Sequence, residues 1–417
     1  MQTETLDTAK AALEIGTKGL FTANNTWMLV ATVLVFLMHI GFATLHAGFV
    51  QRKNVVNILY KNCLIITSGI LTYWFVGFNI MFPVDTGGYF SFGGFFLNKP
   101  EGISLKEYAD IGYTYWTGFL FQAMFAATCC TIVSGAVTER IKLAPFLTFC
   151  IIFCSISYPI TGMWKWGGGW LDARGFYDFA GSTIVHSVGG WGALAGIMLL
   201  GPRAGKYTKK GIRPIPGNNI PLAVIGAFLI WFGWFGFNGG SVLSGDPEMV
   251  SLVLLTTSLA ASAGAIGAFI VSYFMFQLHD LPMTINGILG GLVGITAGAN
   301  LMSPSEAVFI GFVAGCIIPI SINFFDKKKL DDPVGATSVH LVCGIWGSLA
   351  VGLIGEKAGT TQILAQLVGI IAIGAFTFLF AYLLFFILMK TVGIRVEPSE
   401  EAIGLDIGEH GLEAYTI

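Results

Sequence analysis

Residues 178–201 read DFAGSTIVHSVGGWGALAGIMLLG. An acid, Asp178, is followed eight positions later by an imidazole, His186, and then by a long apolar run. An ionisable side chain inside a membrane segment is costly, so its default reading is functional. The plainer reading has Asp178 capping a helix and His186 packed against a neighbour. Eight helical residues rise about 12 Å and turn about 80° past two full turns, so Asp178 and His186 cannot touch. The spacing recurs from Asp332 to His340 in DDPVGATSVHLVCGIWGSL (331–349). There Asp332 before Pro333 has the form of an N-cap with Pro at the first helical position.

Composition sets the environment. The chain has 417 residues, 54% hydrophobic and 11% charged, with mean hydropathy +0.75. Soluble domains carry about 25% charged residues, so this is a polytopic, all-α membrane protein. A net charge of −2 gives no argument for nucleic acid. The 55 glycines suit close helix approach in a bilayer. The seven cysteines fall in apolar runs without a CxxC pair and read as small core residues.

A span needs about 20 apolar residues. Eleven runs qualify, at 25–49, 58–82, 113–137, 143–162, 179–200, 220–240, 251–275, 283–300, 305–324, 336–354 and 362–389. Basic connections at 51–53, 139–142, 201–213 and 326–329 define the cytoplasmic side, while 84–94 and 244–248 are poor in Lys and Arg. The N-terminus is then outside and the C-terminus inside. VHSVGGWGAL (185–194) resembles VHLVCGIWGSL (339–349), and GFN occurs at 77–79 and 236–238. Two five-span units have opposite topology because five is odd, which is the inverted-repeat design with its site near the midplane. The expected organisation is an extracellular segment 1–24, a first repeat 25–200, a cytoplasmic linker 201–219, a second repeat 220–354, an eleventh helix 355–390 and a cytoplasmic tail 391–417. The acids of that tail (Glu397, Glu400, Glu401, Asp406, Glu409, Glu413) read as a solvated docking surface.

A pseudo-twofold axis between the repeats brings His186 and His340 together. Neutral imidazole offers one donor and one acceptor, so a pair shares a proton and still faces a pore. Two imidazoles are too few for a metal site, and no metal or other cofactor is expected. The remaining His39, His46, His279 and His410 lie elsewhere. WKWGGGW (164–170), FQAMF (121–125) and WFGWFGFNGGS (231–241) crowd aromatics at the outer ends. They read either as an interfacial belt or as a cation-binding vestibule, in which ring faces attract a desolvated cation and Ser241 accepts a hydrogen bond.

DFAGSTIVHSVGGWGALAGIMLLGPR (178–203) resembles the signature of the Amt/Mep/Rh ammonium transporters, in their Amt branch. GWFGFNGGS (233–241), DDPVGATSVHLVCG (331–344), AVTERIK (136–142) and the tail GIRVEPSEEAIGLDIGEHGLEAY (393–415) resemble it too, so the likeness covers about residues 25–415. It implies transport rather than enzymatic catalysis, by a homotrimer with one pore per subunit in the plasma or inner membrane. By motif position, His186 and His340 are similar to the twin-histidine pore pair. Trp166, Ser241 and Phe125 are similar to the outer recruitment site, Phe125 and Phe237 to the stacked gate, and Asp178 to the acid beneath, which supports that substrate site or takes part in deprotonation. A PII-type signal protein at the cytoplasmic face is the implied partner. One departure is His46, in GFATLHAGFVQRKN (41–54), where many relatives carry Glu.

The residue types suit ammonium, which matches potassium in size but donates directed hydrogen bonds and can lose a proton. A desolvated cation–π contact is worth up to about 2 kcal/mol, less than the cost of moving a charge through hydrocarbon. Deprotonation at the phenylalanine barrier avoids that cost. The proton then travels separately, giving electrogenic transport, or ammonia passes alone. A sensor of Amt type that binds ammonium and conducts little is the alternative, disfavoured here by a chain ending two residues after EAY. A Rh-like channel is disfavoured by Trp166 and Ser241.

Overall fold

The computed structural model describes residues 2–83, 86–97 and 112–415. Val84 and Asp85 of the 84–94 connection, and Thr416 and Ile417 of the tail, lie outside the described residues. Among the described residues eleven apolar helices follow one another: α1 (Gln2–Phe49), α2 (Arg52–Met81), α3 (Tyr115–Val137), α4 (Leu143–Ala173), α5 (Ser182–Leu200), α6 (Ile220–Gly240), α7 (Pro247–Phe276), α8 (Leu281–Thr296), α9 (Pro304–Lys327), α10 (Thr337–Leu353) and α11 (Thr360–Thr391). Among the described residues nine are long and apolar enough to cross a membrane, and α8 and α10 are shorter. Two short helices, α12 (Pro398–Ile403) and α13 (Leu405–His410), complete the tail.

The sequence reading separates 1–24 from the first span, whereas α1 runs unbroken from Gln2 to Phe49. DTAKAALEIGTKGL contains no proline and many strong helix formers, so nothing stops the helix. Further along α1, Met28, Ala31, Val35, Met38, Phe42 and Leu45 are buried, while Leu29, Val33, Phe36 and Ile40 are exposed. That spacing of three and four is one helical stripe facing the core, with an apolar face left for lipid. α1 packs along α6, and α7, α8 and α9 pack together.

The crossing that positions the site is between α5 and α10. A Cβ on Gly190 would lie 2.6 Å from the Leu341 backbone nitrogen, and one on Gly344 would lie 2.4 Å from the Ser182 carbonyl oxygen. Only glycine permits that approach. Both helices start with a six-residue π-helical turn, Ser182–Ser187 and Thr337–Val342. The backbone before each is irregular yet buried in protein, as non-helical backbone at membrane depth must be.

At the end of the molecule that carries the tail, a buried ionic cluster joins four connections. The Arg203 guanidinium donates to Asp331 Oδ2 (2.8 Å) and Oδ1 (2.9 Å) and also to Glu139. Asn54 Nδ2 donates to Glu139 at 3.0 Å, and the Arg140 guanidinium donates to the Asp331 carbonyl at 2.7 Å. The tail then straps over these loops, so Glu401, Asp406 and Glu409 depart from the expectation of a solvated surface, while Glu397 and Glu413 are exposed. Asp406 is 2% exposed and accepts from the Val56 and Asn57 backbone N–H groups at the start of α2. Glu409 accepts from Leu143 N at the start of α4 (2.8 Å), and Glu401 accepts from Arg395 and Ala204 N. Each acid satisfies orphan donors at a helix start or loop.

Burial works to raise the Asp331 carboxyl, but the hydrogen bonds and charge of Arg203 prevail and hold it at about 2 rather than the usual 3.8. Burial likewise opposes ionisation of Glu139, and the Arg203 charge brings it below the ordinary range. Lowered folded-state values stabilise the protein above the ordinary carboxylate pKa and lose that contribution as pH falls through the folded value. The melting temperature in detergent is therefore expected to drop between about pH 4 and pH 2. Arg203→Gln, which leaves two buried carboxylates unpaired, is expected to cost about 3–5 kcal/mol at neutral pH. A melting temperature unchanged by this substitution would contradict that account.

Candidate functional site

The sequence DFAG folds into a cap. Gly181 has φ +112°, which an L side chain rarely adopts, and a Cβ there would lie 2.6 Å from Val185 Cγ2. This turn lets the Asp178 carboxylate reach over the start of α5. Its Oδ1 accepts from Gly181 N (3.0 Å) and Ser182 N (2.9 Å), and its Oδ2 from Thr183 N (2.8 Å) and Ile184 N (2.9 Å). His186 N–H then reaches back to the Gly181 carbonyl (3.0 Å), the five-residue step of a π turn.

DDPVG repeats the device. Gly335 has φ +80°, and Asp332 accepts from Gly335 N (3.0 Å) and Thr337 N (2.7 Å). Pro333 is not the first helical residue, as its position after Asp332 suggests. A turn at Gly335 intervenes, and the helix proper begins beyond it.

The two π turns deliver the histidines to each other. His186 Nδ1 and His340 Nδ1 are 3.2 Å apart, with ring planes 19° from parallel. Two nitrogens at that distance make one hydrogen bond only if one carries the proton and the other does not. The donor ring then leaves its Nε2 as an acceptor, and the accepting ring carries N–H at Nε2. The pair is therefore polar along its length, with a lone pair at one end and a donor at the other. His186 Nε2 is buried without a partner.

Trp234 stacks on the His186 ring at 4.8 Å, 14° from parallel, and donates its indole N–H to Thr296 Oγ1 (2.9 Å). The sequence reading missed this tryptophan. Its signal lay in WFGWFGFN, where Trp234 precedes Phe237 by one helical step of three.

On the side away from the tail lies a cavity of about 510 Å³, lined by Trp166, Phe125, Phe121, Tyr115, Ser241 and Gln122, among others. Phe125 meets Trp166 edge to face at 6.1 Å and stacks on Phe237 at 4.0 Å, 19° from parallel. Phe237 is in turn 5.2 Å from the His186 ring. An unbroken series therefore runs from Trp166 through Phe125 and Phe237 to His186 and His340. Ser241 donates its hydroxyl proton to the Phe237 carbonyl (2.8 Å), which leaves the oxygen lone pairs free to accept from a cavity ligand.

Asp178 does not line this cavity. It is 1% exposed, and its backbone carbonyl accepts the Trp166 indole N–H at 2.8 Å. That bond fixes the orientation of the Trp166 indole.

Beyond His340, Phe42 lies at 6.0 Å and leads to His46, whose ring is 5.8 Å from Phe42. Gly135 makes room for that imidazole, since a Cβ there would meet His46 Nε2 at 2.6 Å. His39 lies elsewhere on α1, with Nε2 3.2 Å from the Met124 carbonyl. A second cavity of about 420 Å³ opens at the tail end, lined by Asp332, Thr337, Ser338, Asn286 and Phe49, among others. Among the described residues no three His, Cys, Asp or Glu side chains converge as a metal site would require.

The model of the Ammonium Transporter Family matches residues 26–415. A "Putative ammonium transporter" of Synechocystis is 41% identical, over 98% of this chain and 91% of its own length. "Ammonium transporter Amt2" of Archaeoglobus fulgidus is also 41% identical, over 93% and 87%. Among solved structures, a "Sensor Amt Protein" superposes with TM-score 0.87 at 36% identity, covering 94% of this chain and 99% of that one. Mep2 of Saccharomyces cerevisiae superposes with TM-score 0.80 at 26% identity, over 91% and 88%. Since the match runs almost end to end, this multi-pass membrane chain, which is no enzyme, belongs to the ammonium transporter family.

Proposed function

We propose that this chain carries ammonium across the plasma or inner membrane, taking up the cation outside, removing a proton at a two-ring barrier and passing ammonia along the imidazole pair. The observation that carries the reading is Phe125 stacked on Phe237 at 4.0 Å, between an aromatic cavity and His186. A stacked ring pair leaves no polar partner for a cation at that level, so a charge would pay the desolvation cost there.

Trp166 and Phe125 offer ring faces to ammonium, and Ser241 accepts one of its N–H groups. Asp178 acts as a positioning residue, holding the Trp166 indole and the start of α5. Ammonia leaving the rings meets a donor and an acceptor at the histidines, replacing the hydrogen bonds it loses. The proton given up by ammonium passes to water in the aromatic cavity and travels by water to the imidazole pair, whose shared Nδ1 proton relays it, so that transport is electrogenic.

In this reading all eleven helices cross the bilayer, α1–α5 and α6–α10 form the inverted repeats, and α11 is the extra span. The matching Asp–Gly turns and π turns of α5 and α10 support the repeat. Gln51, Glu139, Arg203 and Asp331 meet at one end, which gathers the basic connections on the tail side. That side is the cytoplasm by the bias of Lys and Arg, and the N-terminus is outside. The assembly is a homotrimer with one pore per chain, and a PII-type partner would act at the tail-end cavity. The solved relative named "Sensor Amt Protein" supports a second reading, an ammonium sensor that conducts little.

An ammonium pulse across proteoliposomes is expected to give a transient current in the full chain. Absence of current in protein that still binds ammonium favours the sensor. Trp166→Leu and Ser241→Ala are expected to raise half-saturating ammonium, the former by about five- to thirtyfold for a contact of about 1–2 kcal/mol. They should leave the maximum nearly unchanged, and equal losses at every concentration would point to a structural role instead. His186→Ala with His340→Ala is expected to abolish flux or admit potassium. Unchanged rate and selectivity in that double variant would remove the role given to the pair.

A further inference from the structure

The outer cavity contains a charge pair that the transport reading does not use. Lys165 immediately precedes Trp166, and both side chains line the cavity. Near its end α4 is interrupted by a turn at 166–169, with Gly168 at φ +73°, which brings its last piece, Trp170–Ala173, back toward Lys165. This brings the Asp172 carboxylate onto the Lys165 ammonium group as a salt bridge. Lys165 is drawn in, with its side chain 16% exposed, whereas Asp172 is 46% exposed at the rim. The Lys165 Nζ also sits 5.6 Å from the centre of the Tyr177 ring. Among the described residues lining the cavity, these two carry the only formal charges.

Lys165 ends in an alkylammonium group, the chemical counterpart of the ion that the aromatic cavity is proposed to bind. Ring faces and a hydroxyl acceptor cannot distinguish the two by charge. We propose that Lys165 is a tethered mimic of ammonium and that Asp172 is an affinity-determining residue, holding this cation off the aromatic site and cancelling its field at the mouth. With Asp172 in place the two charges cancel. Without it a cation stands unpaired beside Trp166, where it repels incoming ammonium and competes for the same rings. This inference rests on the proposed recruitment site at Trp166 and Ser241.

Ammonium binding to the purified full chain, measured by calorimetry at low and high salt, tests the proposal whether the protein transports or senses. Asp172→Asn is expected to weaken binding about five- to tenfold at low ionic strength, and less as salt screens the charge. The double variant Lys165→Met, Asp172→Asn is expected to return to within about twofold of the parent, because the competing cation is gone. Lys165→Met alone should bind ammonium more tightly, since it leaves an unpaired acid at the mouth. Parent affinity in Asp172→Asn, or a defect that persists in the double variant, overturns the proposal. Trp166→Leu serves as the control. If it leaves affinity unchanged, the recruitment site itself is misplaced and the inference falls with it. If it weakens binding while Asp172→Asn does not, the charge-pair inference alone fails.

Discussion

The 3.2 Å approach of His186 Nδ1 to His340 Nδ1 is the constraint on which the rest of the structure depends. A buried imidazole pair holds a single hydrogen bond only while both rings are fixed, because a small rotation leaves two unpaired polar atoms in apolar surroundings. The chain fixes them from several directions. Trp234 stacks beneath His186. Gly190 and Gly344 let the two helices approach to backbone contact. Two aspartates, each eight residues before its histidine, tie down the start of each π turn.

That arrangement occupies the acid at the start of α5 with backbone donors. Asp178 Oδ1 and Oδ2 each accept two backbone N–H groups, so the carboxylate has little capacity left for a passing ion. In the proposed reading recognition falls instead to ring faces and to the Ser241 oxygen. These attract a cation without holding it as a carboxylate would, which suits a site that must release what it binds. The tail follows the same physical rule at the other end. Asp406 and Glu409 place negative charge at the starts of α2 and α4, so the strap is fastened by helix-terminal donors.

The sequence carried the apolar runs and both Asp–His spacings, and these led to the paired imidazoles because hydrophobicity and helical repeat are local properties. Phe125 and Phe237 came instead from the resemblance to the ammonium transporters, by motif position. What escaped were contacts between residues distant in sequence. Asp406 and Asn57 are 349 positions apart, and nothing local marks the acid as a cap rather than a solvated charge. Trp234 stood in plain view, but its ring could not be assigned to His186 before the placement of α6 relative to α5 was known. The helical continuation of α1 into 2–24 was missed because a search for apolar spans stops where apolarity stops, and helix propensity does not.

The proton between the two rings offers the most direct measurement. Nitrogen-15 solid-state NMR on histidine-labelled protein in bilayers distinguishes the two tautomers by chemical shift and detects coupling across an N–H···N bond. The geometry predicts one ring protonated at Nδ1, its partner protonated at Nε2, and a coupling between the two Nδ1 atoms, all lost in His340→Ala. Two rings both protonated at Nε2, with no coupling between them, would contradict the shared proton and the polar path built on it.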